Sequence, residues 1–244
     1  SAVAQKLWSK PGSNFTMEAY SLETEPGIQL PVFLLIPDKK VSPHPCVIGL
    51  AQDGKELFLS ERYNEIAALL EKGVAVCLPD LRGTGELSAT PRSPYRAYQT
   101  MIPASVELML GRTLVGSQLK DTRTIFKWLS KRADIDGKTI GLWGDSFTEP
   151  NLPEFEYDVS PGASSPVEQR QAEPMGPFLA VLTALYEEDV AAVACRGGLV
   201  SFRSVLEDRF CHIPLDVVVP GLLEVADLRD MVRTISPRPV RLEK

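Results

Sequence analysis

Short apolar runs alternate along this chain with longer stretches whose apolar residues recur at helical spacing, and that alternation predicts an α/β architecture with a largely parallel sheet. Residues 1–14 read as an irregular lead-in. Phe15–Glu23 and Ile28–Pro37 flank the turn Pro26-Gly27 and predict an antiparallel hairpin at a sheet edge, where Pro31 would be tolerated. Further strands are expected at Pro45–Leu50, Val74–Leu78, Thr139–Trp143 and Val190–Gly198, and Ser236-Pro-Arg-Pro239 precedes the last apolar residues, Val240 and Leu242. Helical spacing runs over 60–72, with Ser60 as N-cap and Gly73 as terminator. It recurs over 104–131, Met175–Tyr186 and Leu222–Ile235. Asp134–Gly137 is expected to be a turn into the Thr139 strand.

One interval breaks the rhythm. Residues 149–174 contain five prolines and the acidic stretch Glu154–Asp158, so they read as an inserted loop. Such a loop is either a lid or a solvated surface excursion. The rest of the chain shows no repeat and no linker, so the expectation is a single domain over 1–244, with the Pro-rich insertion at about 148–174.

Composition removes several classes of function. With 244 residues, 44% hydrophobic and 24% charged, the chain can bury a substantial core. A net charge of −6 and a pI near 5.1, without any Lys/Arg run, give no footprint for nucleic acid or an anionic membrane. No apolar stretch approaches the roughly 20 residues of a membrane span, and no signal peptide is recognisable. A cleaved signal leaves no trace, so the compartment stays open. Cys46, Cys77 and Cys195 fall in predicted strands, and with Cys211 they form no C-x-x-C pair. Buried free thiols are expected, with no metal site and no cofactor.

The chemistry concentrates where strands end. Thr139-Ile-Gly-Leu-Trp143 stops at Gly144-Asp145-Ser146, and a serine one residue past such a turn can expose its hydroxyl at the carboxyl edge of a sheet. The full nucleophile pattern is G-x-S-x-G; here Thr148 takes the last position. The bland alternative is a strand-to-loop turn with a solvated serine. Val74–Leu78 runs into Pro79-Asp80-Leu81-Arg82-Gly83-Thr84-Gly85, and this D-x-R-G-x-G segment resembles the α/β-hydrolase superfamily. There Asp80 and Arg82 would shape the turn and would not be catalytic. Leu114-Val-Gly116, Asp121 and Trp128-Leu129, followed by Asp134-Ile-Asp-Gly-Lys and Ile140-Gly-Leu-Trp-Gly-Asp-Ser146, are similar to the acetyl xylan esterase and dienelactone-hydrolase-like branch. The likeness covers about 15–147 well and the remainder more loosely.

The resemblance implies an α/β-hydrolase fold: a mostly parallel sheet of about seven strands with helices on both faces, shortened at the C-terminus and lacking the histidine region. It also implies a serine esterase. Ser146 would attack, and the backbone N–H groups of Phe147 and of Ala51 or Gln52 would form the oxyanion hole. The customary His-Gly of that loop is replaced by Ala51-Gln52, which backbone donation tolerates.

A serine needs a base, and only His44 and His212 exist. His44, between Pro43 and Pro45, precedes its strand and is expected on the surface at the far edge. His212 follows the sixth predicted strand on the correct edge, with Asp208 or Asp216 as its carboxylate. A packed loop histidine without a role is the competing reading. Three functions stay open: an esterase for small esters or acetylated carbohydrate, a catalytically incomplete binding module or fragment of a polysaccharide-processing protein, and a peptidase. A further domain or chain would complete the fold in the second.

Overall fold

The computed structural model describes residues 3–38, 42–89, 96–148, 173–207 and 213–243. Among the described residues eight strands form one sheet: β1 (Val3–Pro11), β2 (Phe15–Glu25), β3 (Ile28–Pro37), β4 (His44–Leu50), β5 (Ala75–Pro79), β6 (Ile135–Asp145), β7 (Ala192–Arg196) and β8 (Val240–Glu243). Their order is β1-β2-β3-β5-β4-β6-β7-β8. The pairings from β5 to β8 are parallel, while β1, β2 and β3 join antiparallel.

The helices are α1 (Lys55–Glu61), α2 (Tyr63–Glu71), α3 (Arg96–Met109), α4 (Leu114–Leu129), α5 (Met175–Tyr186), α6 (Arg203–Glu207), α7 (Leu222–Val225) and α8 (Leu228–Ile235). Because successive strand residues point to opposite faces, the central strands feed two cores. Cys46, Ile48, Cys77 and Leu142 pack with α4, α5 and α8. Val76, Leu78 and Ala51 pack with Phe58, Ile66 and Leu70 of α1 and α2. Helices therefore cover both faces. No helix among the described residues is long and apolar enough to cross a membrane.

The differences from the sequence reading have local causes. The lead-in is a strand: Val3–Pro11 pairs with β2 and is the true edge, which moves the hairpin inward. Most of β1 is exposed, so it lacks the apolar signal of a buried strand. Pro31 is tolerated because it lies just past the last β3–β5 pair, Val32 with Pro79, where its carbonyl accepts from the Asp80 N–H at 2.9 Å.

Ser60 does not cap the helix; it lies within α1, and the helical stretch breaks at Arg62 (φ −117°, ψ 26°). The 104–131 region splits at Gly111, and Thr113 caps α4 through the Gly116 N–H. The predicted helix over 222–235 also divides, because Asp227 makes a capping box with Asp230 and starts α8 afresh. Asp134–Gly137 is shorter as a turn than expected, since β6 already begins at Ile135. His44 is buried rather than on the surface: it opens β4, and its Nδ1 lies 3.1 Å from the Gly73 carbonyl oxygen. It does sit at the end of the sheet away from Ser146.

Candidate active site

β4 and β6 run parallel with Leu50 beside Gly144, so the residues that follow, Ala51-Gln52 and Asp145-Ser146, emerge together at the carboxyl edge. On the other side β7 pairs Asp145 with Arg196, and the Ser146 N–H donates to the Arg196 carbonyl at 3.0 Å. Ser146 is thus set between the β4 loop and Gly197-Gly198. Both glycines have positive φ, +70° and +89°, and a β-carbon on Gly197 would sit 3.0 Å from that of Ser146. The serine is buried at 8% exposure, and its Oγ accepts from the Thr148 N–H at 3.4 Å. In open α/β sheets this edge is where ligands bind.

The turn itself differs from a strained nucleophile elbow. Among the described residues every positive φ belongs to a glycine, so Ser146 has ordinary backbone geometry. Ser146, Phe147 and Thr148 are not helical; residues 149–172 lie outside the described residues, and α5 begins at Met175. Its first turn nevertheless returns to the same strand ends. A β-carbon on Gly176 would lie 2.2 Å from the Leu50 oxygen and 2.4 Å from that of Asp145. Only glycine allows that approach.

Two buried charge groups brace the edge. Arg62 holds the wholly buried Asp145 with both teeth of its fork, Nε to Oδ2 at 2.7 Å and Nη2 to Oδ1 at 2.9 Å. The Asp145 carboxylate raises the pKa of this guanidinium above its ordinary value. Lys55, at 1% exposure, bonds Asp80 at 2.5 Å and also Glu86. Burial pulls the Lys55 pKa down, but the hydrogen bonds that its ammonium donates to these two carboxylates outweigh it and leave the pKa raised. Asp80 further accepts the Lys55 backbone N–H at 2.7 Å, which pins the end of the Gln52–Gly54 loop. Gly54 and Gly85 make room for that carboxylate; a β-carbon on either would approach it to 2.3 or 2.2 Å. Gln52 is 2% exposed, and its side-chain oxygen has no hydrogen-bond partner among the described residues. Buried polar atoms in that state cost stability and call for an explanation.

The expected site residues fare differently. Ser146, Phe147, Ala51 and Gln52 come together at one edge. Phe147 packs its ring against Phe58, centroids 5.8 Å apart. Asp216 is fully buried in a 3-10 turn, Leu215–Val217, which packs against α3, α4 and α5. His212 and Asp208, like residues 149–172 of the insertion expected at about 148–174, lie outside the described residues. Asp80 and Arg82 both make ion pairs: Asp80 bonds Lys55, and Arg82 bonds Asp121 and Glu25. Cys46, Cys77 and Cys195 are buried and free. Burial pushes the thiols of Cys46 and Cys195 up to about 12, which makes them inert. Sequence reasoning missed Lys55, Arg62 and the partnering of Asp145. Each reads as an ordinary surface charge until the helix break and the strand ends bring it inside.

No protein-family profile matches the chain, and no curated protein sequence matches it. Solved structures do. A provisionally named acetyl xylan esterase from Bacteroides fragilis superposes with a TM-score of 0.76 at 15% identity, covering 98% of this chain and 62% of its own. A glucuronoyl esterase from Solibacter usitatus gives 0.59 at 11% identity, covering 99% and 67%. Acetyl xylan esterase 1 from a Thermoanaerobacterium species gives 0.54 at 14%, covering 98% and 62%. This chain therefore spans a little over three fifths of the first structure's length.

Proposed function

From the α/β-hydrolase fold that those likenesses establish, we propose that the protein is a carboxylic-ester hydrolase with Ser146 as nucleophile and acetylated carbohydrate as its substrate class. The observation that carries this reading is the placement of Ser146 at the carboxyl end of a central strand, flanked by the Ala51-Gln52 loop and by Gly197. Ser146 Oγ attacks the acyl carbon. Its proton passes to His212, oriented by Asp208 or Asp216, and then to the departing alcohol. The N–H groups of Phe147 and of Ala51 or Gln52 hold the oxyanion. Water then attacks the acyl-serine and gives a proton to the same base, which passes it to Ser146 Oγ as the acyl–oxygen bond breaks, releasing the acid and restoring the serine. This reaction needs no metal or cofactor. The whole chain acts as one domain in this reading.

The name of the Bacteroides protein, an acetyl xylan esterase, supports the choice of substrate class. A second reading, a hydrolase-fold binding module without turnover, is favoured by one observation. Ser146 lacks the left-handed backbone that aims a nucleophile out of a strained elbow. Labelling with a fluorophosphonate, followed by peptide mass mapping, separates the two. Stoichiometric labelling at Ser146, lost in S146A and slowed in H212A, is the expected result. An unlabelled wild-type chain that still binds acetylated xylo-oligosaccharide would establish the binding module.

A further inference from the structure

We propose that Arg62 is a positioning residue that holds Ser146 from both sides, through Asp145 before it and Phe147 after it. The inference rests on the reading of Ser146 as nucleophile, because it explains how that hydroxyl and the Phe147 N–H keep their places without elbow strain.

The geometry is two-sided. Toward Asp145 the guanidinium makes the paired contacts of 2.7 and 2.9 Å, to a carboxylate with no solvent exposure. Toward Phe147 it lies over the ring, 5.0 Å from the centroid. The same ring meets the edge of Phe58, whose own ring meets Trp143 on β6 at 4.9 Å. Residues 143, 145 and 147 all point to one face of the strand end, so one helical corner grips every second residue around the serine. Planarity matters here: a guanidinium can fork a carboxylate and stack on a ring at once, and an ammonium cannot.

Arg62 is itself fixed. It forms the break between α1 and α2, its N–H bonded to the Phe58 oxygen at 3.0 Å and its oxygen to the Ile66 N–H at 2.9 Å. One turn on, Glu65 bonds Arg196 at 3.1 Å, and Arg196 supplies the carbonyl that holds the Ser146 N–H. The α1–α2 corner therefore fastens the ends of β6 and β7 together. Ser146 is the residue between them.

A structural salt bridge and a positioning clamp predict different outcomes, and the molecule contains a matched control. Arg82 forks the fully buried Asp121 with contacts of 2.9 and 2.7 Å, and none of its described contacts is to Ser146. The experiment measures fluorophosphonate labelling of Ser146 in the wild type, R62K and R82K. It also measures iodoacetamide alkylation at position 146 in S146C, S146C/R62K and S146C/R82K, read by peptide mapping. Thermal unfolding is followed in all six.

R62K is expected to slow labelling about 10-fold or more, the scale of a small misplacement of a reacting group, and to speed alkylation of the released position. R82K should leave both rates within about twofold at a comparable loss of Tm. Rates at position 146 that respond equally to R62K and R82K, or to neither, would overturn the proposal. An unlabelled wild type would sink the nucleophile reading alone, since the thiol rates still decide the clamp. Should S146C fail to fold, amide hydrogen exchange at Ser146 and Phe147 in R62K and R82K replaces them. Faster exchange in R62K only is then the expected result, and equal exchange the overturning one.

Discussion

Arg62–Asp145 and Arg82–Asp121 are nearly the same object in two places. Each is a forked pair, each aspartate is fully buried, and the arginine side chains are 14% and 16% exposed. Their surroundings differ. Asp121 also accepts from the Thr24 hydroxyl at 2.9 Å, and Arg82 reaches Glu25 at 2.7 Å, so that pair ties α4 to the β2 end and the β5 loop. Asp145 is followed directly by Ser146, and its arginine lies over Phe147. The contrast teaches that a buried ion pair is poor evidence for stability in itself, because desolvation offsets much of the attraction. What it reveals is what it holds: scaffold in one case, a candidate nucleophile in the other.

The largest way to separate the two regions is S146A. Hydrolysis of an activated acetyl ester should fall by a factor on the order of 10⁴ or more with stability nearly unchanged, whereas no Asp121 variant should single out the chemistry while sparing the fold. A rate in S146A equal to wild type would remove Ser146 from the reaction. Next comes the cost of leaving one charge buried alone. R62M and R82M should each destabilise by about 3–5 kcal/mol in urea unfolding. R82M/D121L should recover most of that loss and R62M/D145L likewise, yet only the latter should stay slow in labelling.

G176A is expected to cost about 1–3 kcal/mol, because the new β-carbon pushes the α5 entry off the Leu50 and Asp145 carbonyls. Slower labelling should accompany it, and unchanged stability would show that the approach is looser than described.

The smallest effect belongs to a third forked pair. Arg132 bonds Asp134 at 2.8 and 2.6 Å, but the Asp134 side chain is 34% exposed. Burial pushes the Asp134 carboxyl up, while the Arg132 hydrogen bonds outweigh it and leave its pKa lowered. A lowered folded-state pKa means stability that is present above the usual aspartate range and is lost as pH falls through the folded value. D134N should therefore cost under about 1 kcal/mol at pH 7 and flatten the acid limb below about pH 4. Parallel acid limbs for D134N and wild type would contradict this.

Much of the fold was legible because burial leaves a pattern. β3 and α5 begin and end where the apolar runs do, and Cys46, Cys77 and Cys195 are buried as their strands implied. β1 was not legible, since an exposed edge strand need not be apolar. Nor was the break at Arg62, where helical spacing continues across a corner that only packing against β6 makes favourable. The site was half legible. Ser146 and the Ala51-Gln52 loop follow from strand endings, which are local. Lys55 and Arg62 were invisible, because a charge is read as solvated until its partner is known.

By itself, then, the order of residues determined the alternation of strands and helices, the parallel core, and the serine at the end of β6. Those depend on periodicity and on turn residues within a few positions of each other. Tertiary structure alone decided which charges go inside and what they hold. Asp145 meets Arg62 from 83 positions away, and Lys55 meets Asp80 from 25. No local pattern encodes such pairs, because a buried charge is stable only beside a partner that the folded sheet brings to it.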